Sequence, residues 1–396
     1  MNIGLDFTSI DPSYRGGLNT YAMGLLQGLI RVAEKHKIQL YVTKDNRFFF
    51  ENFYREAYIE IVDVPLSGKM ARLSRTAALF SSCTGFKALH QKFVDNVLGP
   101  RAKIMDKLSD VVYIPTSVLY PYTYQKPTIL SMHDIQQVHY PQFFSKMQLD
   151  SRHMRFQLSA EMVTYVQASS QFIKEDLLRY FKCLSPEQIV VIPEGVMIEE
   201  FSAPIDNDVV LKYGLPSDFL FFPAQLWFHK NHITVLKALN HLYRVRGLKI
   251  PMVMTGEKYT GAEQIISYIK DQEMNYVYYL GKVPFSDMVA LYQRARFFIT
   301  AVLYESSSLP FLEAAAAGCP IIASGTPPNL EMAQILKASL FGPLNDGELA
   351  ELLAKIWVDD ALISDHVNYN RINIDYYSWD NAARRYLDFI EAKIQP

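Results

Sequence analysis

Short apolar runs recur along this chain, each closed by glycine, proline or small polar residues and followed by a longer segment of helical period. Ile3–Phe7, Gln39–Thr43, Ile59–Val62, Val111–Ile114, Thr128–Met132 and Ile189–Ile192 read as buried strands in the first half. Phe219–Pro223, Pro251–Thr255, Tyr276–Leu280, Phe297–Ala301 and Ile321–Ala323 repeat the pattern in the second. Strands that alternate with helices build parallel sheets, so the chain is predicted to be α/β. At 396 residues it exceeds what one core holds and suits two domains. Periodicity lapses between Pro193 and Pro216, where acids and prolines gather, and the interdomain linker is placed there. The resulting division is a first domain over 1–200, a second over 207–375, and a terminal amphipathic helix over 376–396 that packs back on the first.

Composition narrows the chemistry. Hydrophobic residues make up 49% and charged residues 20%, which describes a globular protein with an ample core. A formal net charge of -2 gives no general attraction to nucleic acid, so an anionic ligand must be met by local groups. Cys83, Cys183 and Cys319 are scattered without ligand spacing, which argues against a zinc site or a disulfide framework and fits a reducing compartment. The N-terminus lacks the basic flank and length of a secretory signal, and no apolar run approaches a spanning helix. A cytoplasmic protein is expected. Between 68 and 107 the composition turns basic, with Lys69, Arg72, Arg75, Lys87, Lys92, Arg101, Lys103 and Lys107 interleaved with apolar residues. That segment reads either as a face for an anionic membrane or as a solvated helical face over the core.

The loops that follow the strands carry the candidate chemistry. Gly16 and Gly17 sit between a strand and a helix, the layout of a phosphate cradle, and equally that of a tight turn. His133 and Asp134 stand at the carboxyl end of a strand, where open α/β sheets bind ligands; the imidazole suits a sugar hydroxyl or a structural hydrogen bond. Lys230 lies before a helix in another strand–loop–helix unit and is placed for a diphosphate. The densest stretch is Tyr304–Gly318, with Glu305 and Glu313 around a serine loop. Ser308 is expected to cap the following helix, with Pro310 in its first turn and free backbone N–H groups turned to an anion. Taken alone, the same stretch is an ordinary capped helix with surface glutamates.

In order, these motifs resemble the retaining GT-B glycosyltransferases of family four. The resemblance runs through Gly16-Gly17, His133-Asp134, Ser169–Gln171, Ile192–Gly195, Lys230-Asn231, Gly256, Leu280-Gly281, and Glu305 to Glu313 with Ala314–Pro320 behind it. It implies two Rossmann-like domains facing across a cleft and a nucleotide-sugar held mainly by the second. By that similarity Glu313 binds the ribose, while Gly281 and Val283 meet the base through the backbone. Glu305 holds the sugar hydroxyls, and Lys230 neutralises the diphosphate with backbone donors of Ser307, Ser308 and Leu309. Gly256 and Ser306 line the donor, Gly16 and Gly17 close on phosphate or acceptor, and His133 sits against the transferred sugar. The catalytic set is thus Glu305, His133 and Lys230, with no metal and no cofactor beyond a UDP- or GDP-linked donor.

The implied activity is retaining transfer of a hexose to a glycan or lipid-linked acceptor in bacterial surface polysaccharide assembly, with no nucleic-acid partner. Two departures from the family pattern stand out. An arginine common five residues before the lysine is Gln225 here, and glycines common after the first glutamate are Ser306 and Ser308. The alternatives are a sugar-nucleotide epimerase on the same fold and a non-catalytic sugar-nucleotide-binding module.

Overall fold

The computed structural model describes residues 1–11, 13, 16–33, 35–55, 58–65, 87–205 and 208–394. Within them the chain forms two units, Met1–Gly195 with Trp379–Pro396, and Val196–Ser378. Each is built on one sheet whose strand pairs are all parallel.

In the first unit, β1 (Asn2–Asp6), β2 (Lys37–Val42), β3 (Ile59–Asp63), β4 (Val111–Ile114), β5 (Thr128–Ser131), β6 (Tyr165–Ala168) and β7 (Ile189–Val191) lie in the order β3-β2-β1-β4-β5-β6-β7. The order reverses between β1 and β4, and ligands of open parallel sheets gather at the carboxyl end of such a reversal. Helices α1 (Gly17–Val32), α2 (Lys87–Leu108), α3 (Lys146–Met162) and α4 (Gln171–Tyr180) connect these strands. Most strand residues are buried, as a sheet covered on both faces requires.

The second unit repeats the plan. Strands β8 (Leu220–Pro223), β9 (Met252–Thr255), β10 (Val277–Tyr279), β11 (Phe297–Thr300), β12 (Ile321–Ser324) and β13 (Ser339–Phe341) run in the order β10-β9-β8-β11-β12-β13, with the reversal between β8 and β11. Its helices include α5 (His232–Arg246), α6 (Ala262–Asp271), α7 (Phe285–Arg294), α8 (Leu309–Ala316), α9 (Asp346–Ile356) and α10 (Asp360–Asn373). One core, with Phe221, Tyr292, Phe298 and Phe311, lies on one side of the sheet; another, with Phe222, Leu236, Leu239 and Leu353, lies on the other.

The last helix, α11 (Trp379–Lys393), belongs to the first unit. Trp379 is 1% exposed and fills a groove opened by glycines. A Cβ built on Gly24 would stand 2.1 Å from its ring, one on Gly195 2.6 Å, and one on Gly28 2.3 Å from its carbonyl oxygen. Further along α11, the Tyr386 hydroxyl bonds to that of Tyr21 on α1, and Tyr21 also reaches Ser131 at 3.0 Å and Gln167 at 3.1 Å.

One expectation is corrected. The stretch Pro193–Pro216, read as a linker without periodicity, carries short helices at Ile198–Ser202 and Val209–Tyr213, and from Val196 it is part of the second unit. The basic segment 68–107 lies outside the described residues up to position 86. In its described part, Arg101 turns inward at 9% exposure, donating to Thr8 Oγ1 at 2.9 Å, and Lys87 is paired with Glu161. Lys87, Lys92, Lys103 and Lys107 are its exposed described bases. Among the described residues no helix is long and apolar enough to cross a membrane.

Candidate active site

The reversal between β8 and β11 brings Lys230 and Glu305 together. Lys230 ends a short 3-10 turn after β8, Glu305 follows β11, and Nζ lies 2.7 Å from Glu305 Oε2. Two anchors hold the loops. Asn231, at φ 57, donates through Nδ2 to Ala301 O at 3.1 Å and Pro343 O at 2.7 Å, and Leu303 N donates to His229 O at 2.9 Å. The side chains of Lys230 and Glu305 are only 20% and 13% exposed. Glu305 Oε1 is buried and has no hydrogen-bond partner among the described residues. A carboxylate oxygen out of water and unpaired is costly, and a ligand hydroxyl would relieve it.

The serine loop behaves differently from expectation. Ser308 occupies the N-cap position of α8, but its hydroxyl makes no capping bond and is buried without a partner. Ser145 and Ser170, by contrast, do cap helices α3 and α4 through their hydroxyls. Pro310 lacks an N–H, and the N–H groups of Phe311 and Leu312 both turn to Ser308 O, so Leu309 supplies the first-turn donor that remains for an anion. Ser306 and Ser307 are half-buried in the same loop.

Glu313, one turn into α8, accepts a hydrogen bond from the Tyr292 hydroxyl at 2.8 Å. Burial and the adjacent Glu313 hold that phenol protonated, well above its usual pKa. The sequence offered no sign of Tyr292, because its partner comes from a different helix, α7. Gly256 and Gly281 stand after β9 and β10, at φ 120 and 68. Gly256 also lets two loops touch, since a Cβ there would lie 2.5 Å from Ala224 O. Val283 packs half-buried on the core. Gln225 is held through its side-chain oxygen by Trp227 Nε1 at 2.9 Å, and the Trp227 ring stacks on Tyr259 at 4.0 Å.

The histidines beside Lys230 are uncharged. Burial, and then the Lys230 ammonium, push the pKa of His229 down to about 3. His232, stacked on Phe222 at 4.1 Å, falls to about 3 from the same two causes, with a small contribution from His229 and an opposing pull from the backbone of Ala224.

In the first unit, Gly16 is the N-cap residue of α1 and Gly17 its first residue. No side chain caps the helix there, and a Cβ on Gly17 would meet nothing within 4 Å. Sixteen residues of helix thus begin with open N–H groups on an uncrowded backbone. His133 follows β5, and its side chain is 15% exposed. Nε2 lies 3.0 Å from Pro115 O, Nδ1 lies 3.4 Å from Glu194 Oε1, and the ring meets Tyr21 edge-on at 4.6 Å. Both nitrogens therefore face protein acceptors. Glu194, 5% exposed at the exit of β7, is a site residue that the reading of single residues passed over.

Residues 211–372 match the family model for glycosyl transferases group 1. Among curated relatives, O-antigen chain mannosyltransferase B of Escherichia coli is 23% identical over 54% of this chain and 57% of its own length. The serotype-specific mannosyltransferase WbdA of Escherichia coli is 21% identical over 56% of this chain and 28% of its own length. The alpha-monoglucosyldiacylglycerol synthase of Streptococcus pneumoniae is 27% identical over 55% and 49%. The match thus spans between about a quarter and just over half of those relatives.

Solved structures align along nearly the full chain. Anabaena HepE in complex with UDP and glucose superposes with a TM-score of 0.69 at 15% identity, covering 99% of this chain and 100% of that one. The sucrose-phosphate synthase of Thermosynechococcus elongatus gives 0.72 at 16%, covering 99% and 98%. The match to glycosyl transferases group 1 lies within the second unit, and the chain has the GT-B fold of two parallel-sheet α/β domains.

Proposed function

We propose that the chain is a retaining hexosyltransferase that takes its sugar from a UDP- or GDP-linked donor without a metal ion. The observation that carries this is the Lys230–Glu305 pair at the strand-order reversal, with Glu305 Oε1 buried and unpaired. In this reading Glu305 accepts hydrogen bonds from the sugar, and Lys230 turns to the diphosphate as its charge grows on departure. Leu309 N–H adds a backbone donor to the same charge, so preorganised groups of the chain stabilise it. Glu313, oriented by Tyr292, takes the ribose hydroxyls. Gly281 and Val283 meet the base, with Gly256, Gln225 and Ser306–Ser308 lining the donor. The leaving phosphate oxygen then accepts the acceptor's proton on the same face of the sugar, so no enzymic nucleophile is required.

The acceptor is a glycan or lipid-linked saccharide, met by the loops at the carboxyl edge of the first sheet, Gly16-Gly17 among them. The mannosyltransferase relatives support a place in bacterial surface polysaccharide assembly. The complex of HepE with UDP and glucose supports a uridine diphosphate donor as the first to try.

The test is release of nucleoside diphosphate from a panel of nucleotide sugars, with and without saccharide acceptors. Turnover is expected with one UDP- or GDP-sugar, with Glu305→Gln lowering kcat/KM by roughly 10- to 100-fold, the range for losing a charged hydrogen-bond partner. Donor binding without turnover would make the chain a binding module, and release of an epimerised nucleotide-sugar would make it an epimerase. A site on the inner face of the membrane is part of the same reading, carried by 68–107. Sedimentation with anionic vesicles is expected to deplete the supernatant, and equal recovery with and without vesicles removes that part.

A further inference from the structure

His133 is confined from three directions. Pro115 follows β4, Glu194 follows β7 and Tyr21 lies on α1, while His133 N itself donates to Ser117 Oγ at 3.3 Å. A carbonyl oxygen only accepts, so the 3.0 Å contact to Pro115 puts a proton on Nε2. The neutral ring would then turn its Nδ1 lone pair toward a carboxylate oxygen 3.4 Å away, two acceptors facing each other. A proton between them removes that conflict.

We propose that Glu194 is a positioning residue of this site, holding His133 in one orientation with both ring nitrogens donating, so that His133 acts as a fixed imidazolium and not as a proton acceptor. The unit's own charges favour this. Burial disfavours the imidazolium, but the Glu194 hydrogen bond and charge, the Pro115 carbonyl and the Asp134 charge together outweigh it, and the pKa of His133 is raised. Asp134 accepts from Gln136 N at 3.1 Å and lies 3.6 Å from Arg152 Nη2, so its own partners draw it aside. Tyr21 and Tyr386 stay protonated far above neutrality, and the Tyr113 phenol is pushed up to about 12 by burial. Among the described residues, Glu194 is therefore the carboxylate in hydrogen-bond reach of the ring. A residue with both nitrogens committed cannot take a proton from an acceptor hydroxyl, which accords with a mechanism in which the leaving phosphate does so.

For its catalytic consequence the inference rests on the proposed transferase activity, but its first test does not. In the full chain labelled with 15N-histidine, the ring nitrogens are followed by NMR from pH 5 to 9, with His133→Gln assigning the signals. His133 is expected to stay doubly protonated above the pH of about 6.5 at which an unperturbed histidine is half-titrated. Glu194→Gln should lower that midpoint by roughly one pH unit or more, and Glu194→Asp, which keeps the charge, should restore much of it. If a donor is turned over, Glu194→Gln should also move the alkaline limb of kcat to lower pH, with a roughly tenfold loss at pH 8 and little at pH 6. A parent midpoint at or below 6.5, or one unmoved by Glu194→Gln, overturns the inference. Should Glu194→Gln not fold, the parent and Glu194→Asp titrations still decide it. Absence of turnover with every donor counts against the transferase reading and leaves the titration standing.

Discussion

Lys230 and Glu305 lie 75 positions apart, yet their sequence context announced both, because each follows a short buried strand and precedes a helix. Their mutual ion pair was not announced, since it depends on β8 and β11 being neighbours. The same limit hid Tyr292 and left Glu194 as part of a motif with no partner. Ser308 failed in the opposite way: a capping residue type stood in the capping position, but its hydroxyl is buried and makes no capping bond. Gln225 supplies the prediction at this scale. Lys230 is already balanced by Glu305, and Gln225, where relatives in the resembled family often carry arginine, adds no charge. Gln225→Arg is therefore expected to tighten UDP or GDP binding roughly tenfold, the value of one charge-assisted hydrogen bond. Titration calorimetry reads this directly, and unchanged affinity would mean that the diphosphate does not pass position 225.

Elements were legible where the inner face is apolar and obscure where it is polar. Strand β6 escaped notice because its centre is Gln167, which is 1% exposed but satisfied: Nε2 donates to Ile192 O at 2.7 Å, and Oε1 accepts from Tyr21. Helix α10 escaped for the same reason, since its buried residues are His366 and Asn370, the latter bonded to both backbone groups of Lys337. Strand β13 is three residues long at a sheet edge, too short for a pattern. Helix α11 was plain in its amphipathic spacing, but the glycines that receive it were not, because a glycine in a helix announces no contact. Gly24→Ala puts a methyl group 2.1 Å from the Trp379 ring, where neither rigid ring nor helix backbone yields easily. Overpacking of this kind costs about 1–3 kcal/mol. Trp379→Ala should cost about 3–5 kcal/mol by the opposite route, an empty cavity. Denaturant unfolding monitored in the first unit is the measurement. A Gly24→Ala protein as stable as the parent would show that α1 and α11 do not pack as closely as described.

At the scale of the whole chain, the α/β class and the GT-B fold were readable from the strand–helix rhythm and the order of the motifs, while the path between the units was not, because the stretch after Gly195 has little period of its own. The two units also differ in how they hold their histidines. In the second, His229 and His232 are neutral, with pKa values brought down to about 3 by burial and by Lys230. In the unfolded chain each titrates near 6.5. Between those values the unfolded state binds more protons than the folded one, so stability must fall as pH falls, by about 1.4 kcal/mol per pH unit for each histidine. The loss begins near pH 6.5 and ends once both folded pKa values are passed. In the first unit the sign for His133 is reversed: its raised pKa adds stability at low pH and loses it as pH rises through the folded value. Mild acid should therefore unfold the second unit first. Hydrogen exchange at pH 7 and pH 5 tests this, with protection expected to drop in α5 and β8 while β5 and β7 keep theirs. His232→Phe preserves the stacking on Phe222 and removes one of the unit's depressed histidines, so it should lessen the acid sensitivity of the second unit. Equal sensitivity in parent and variant would show that His232 is not held neutral.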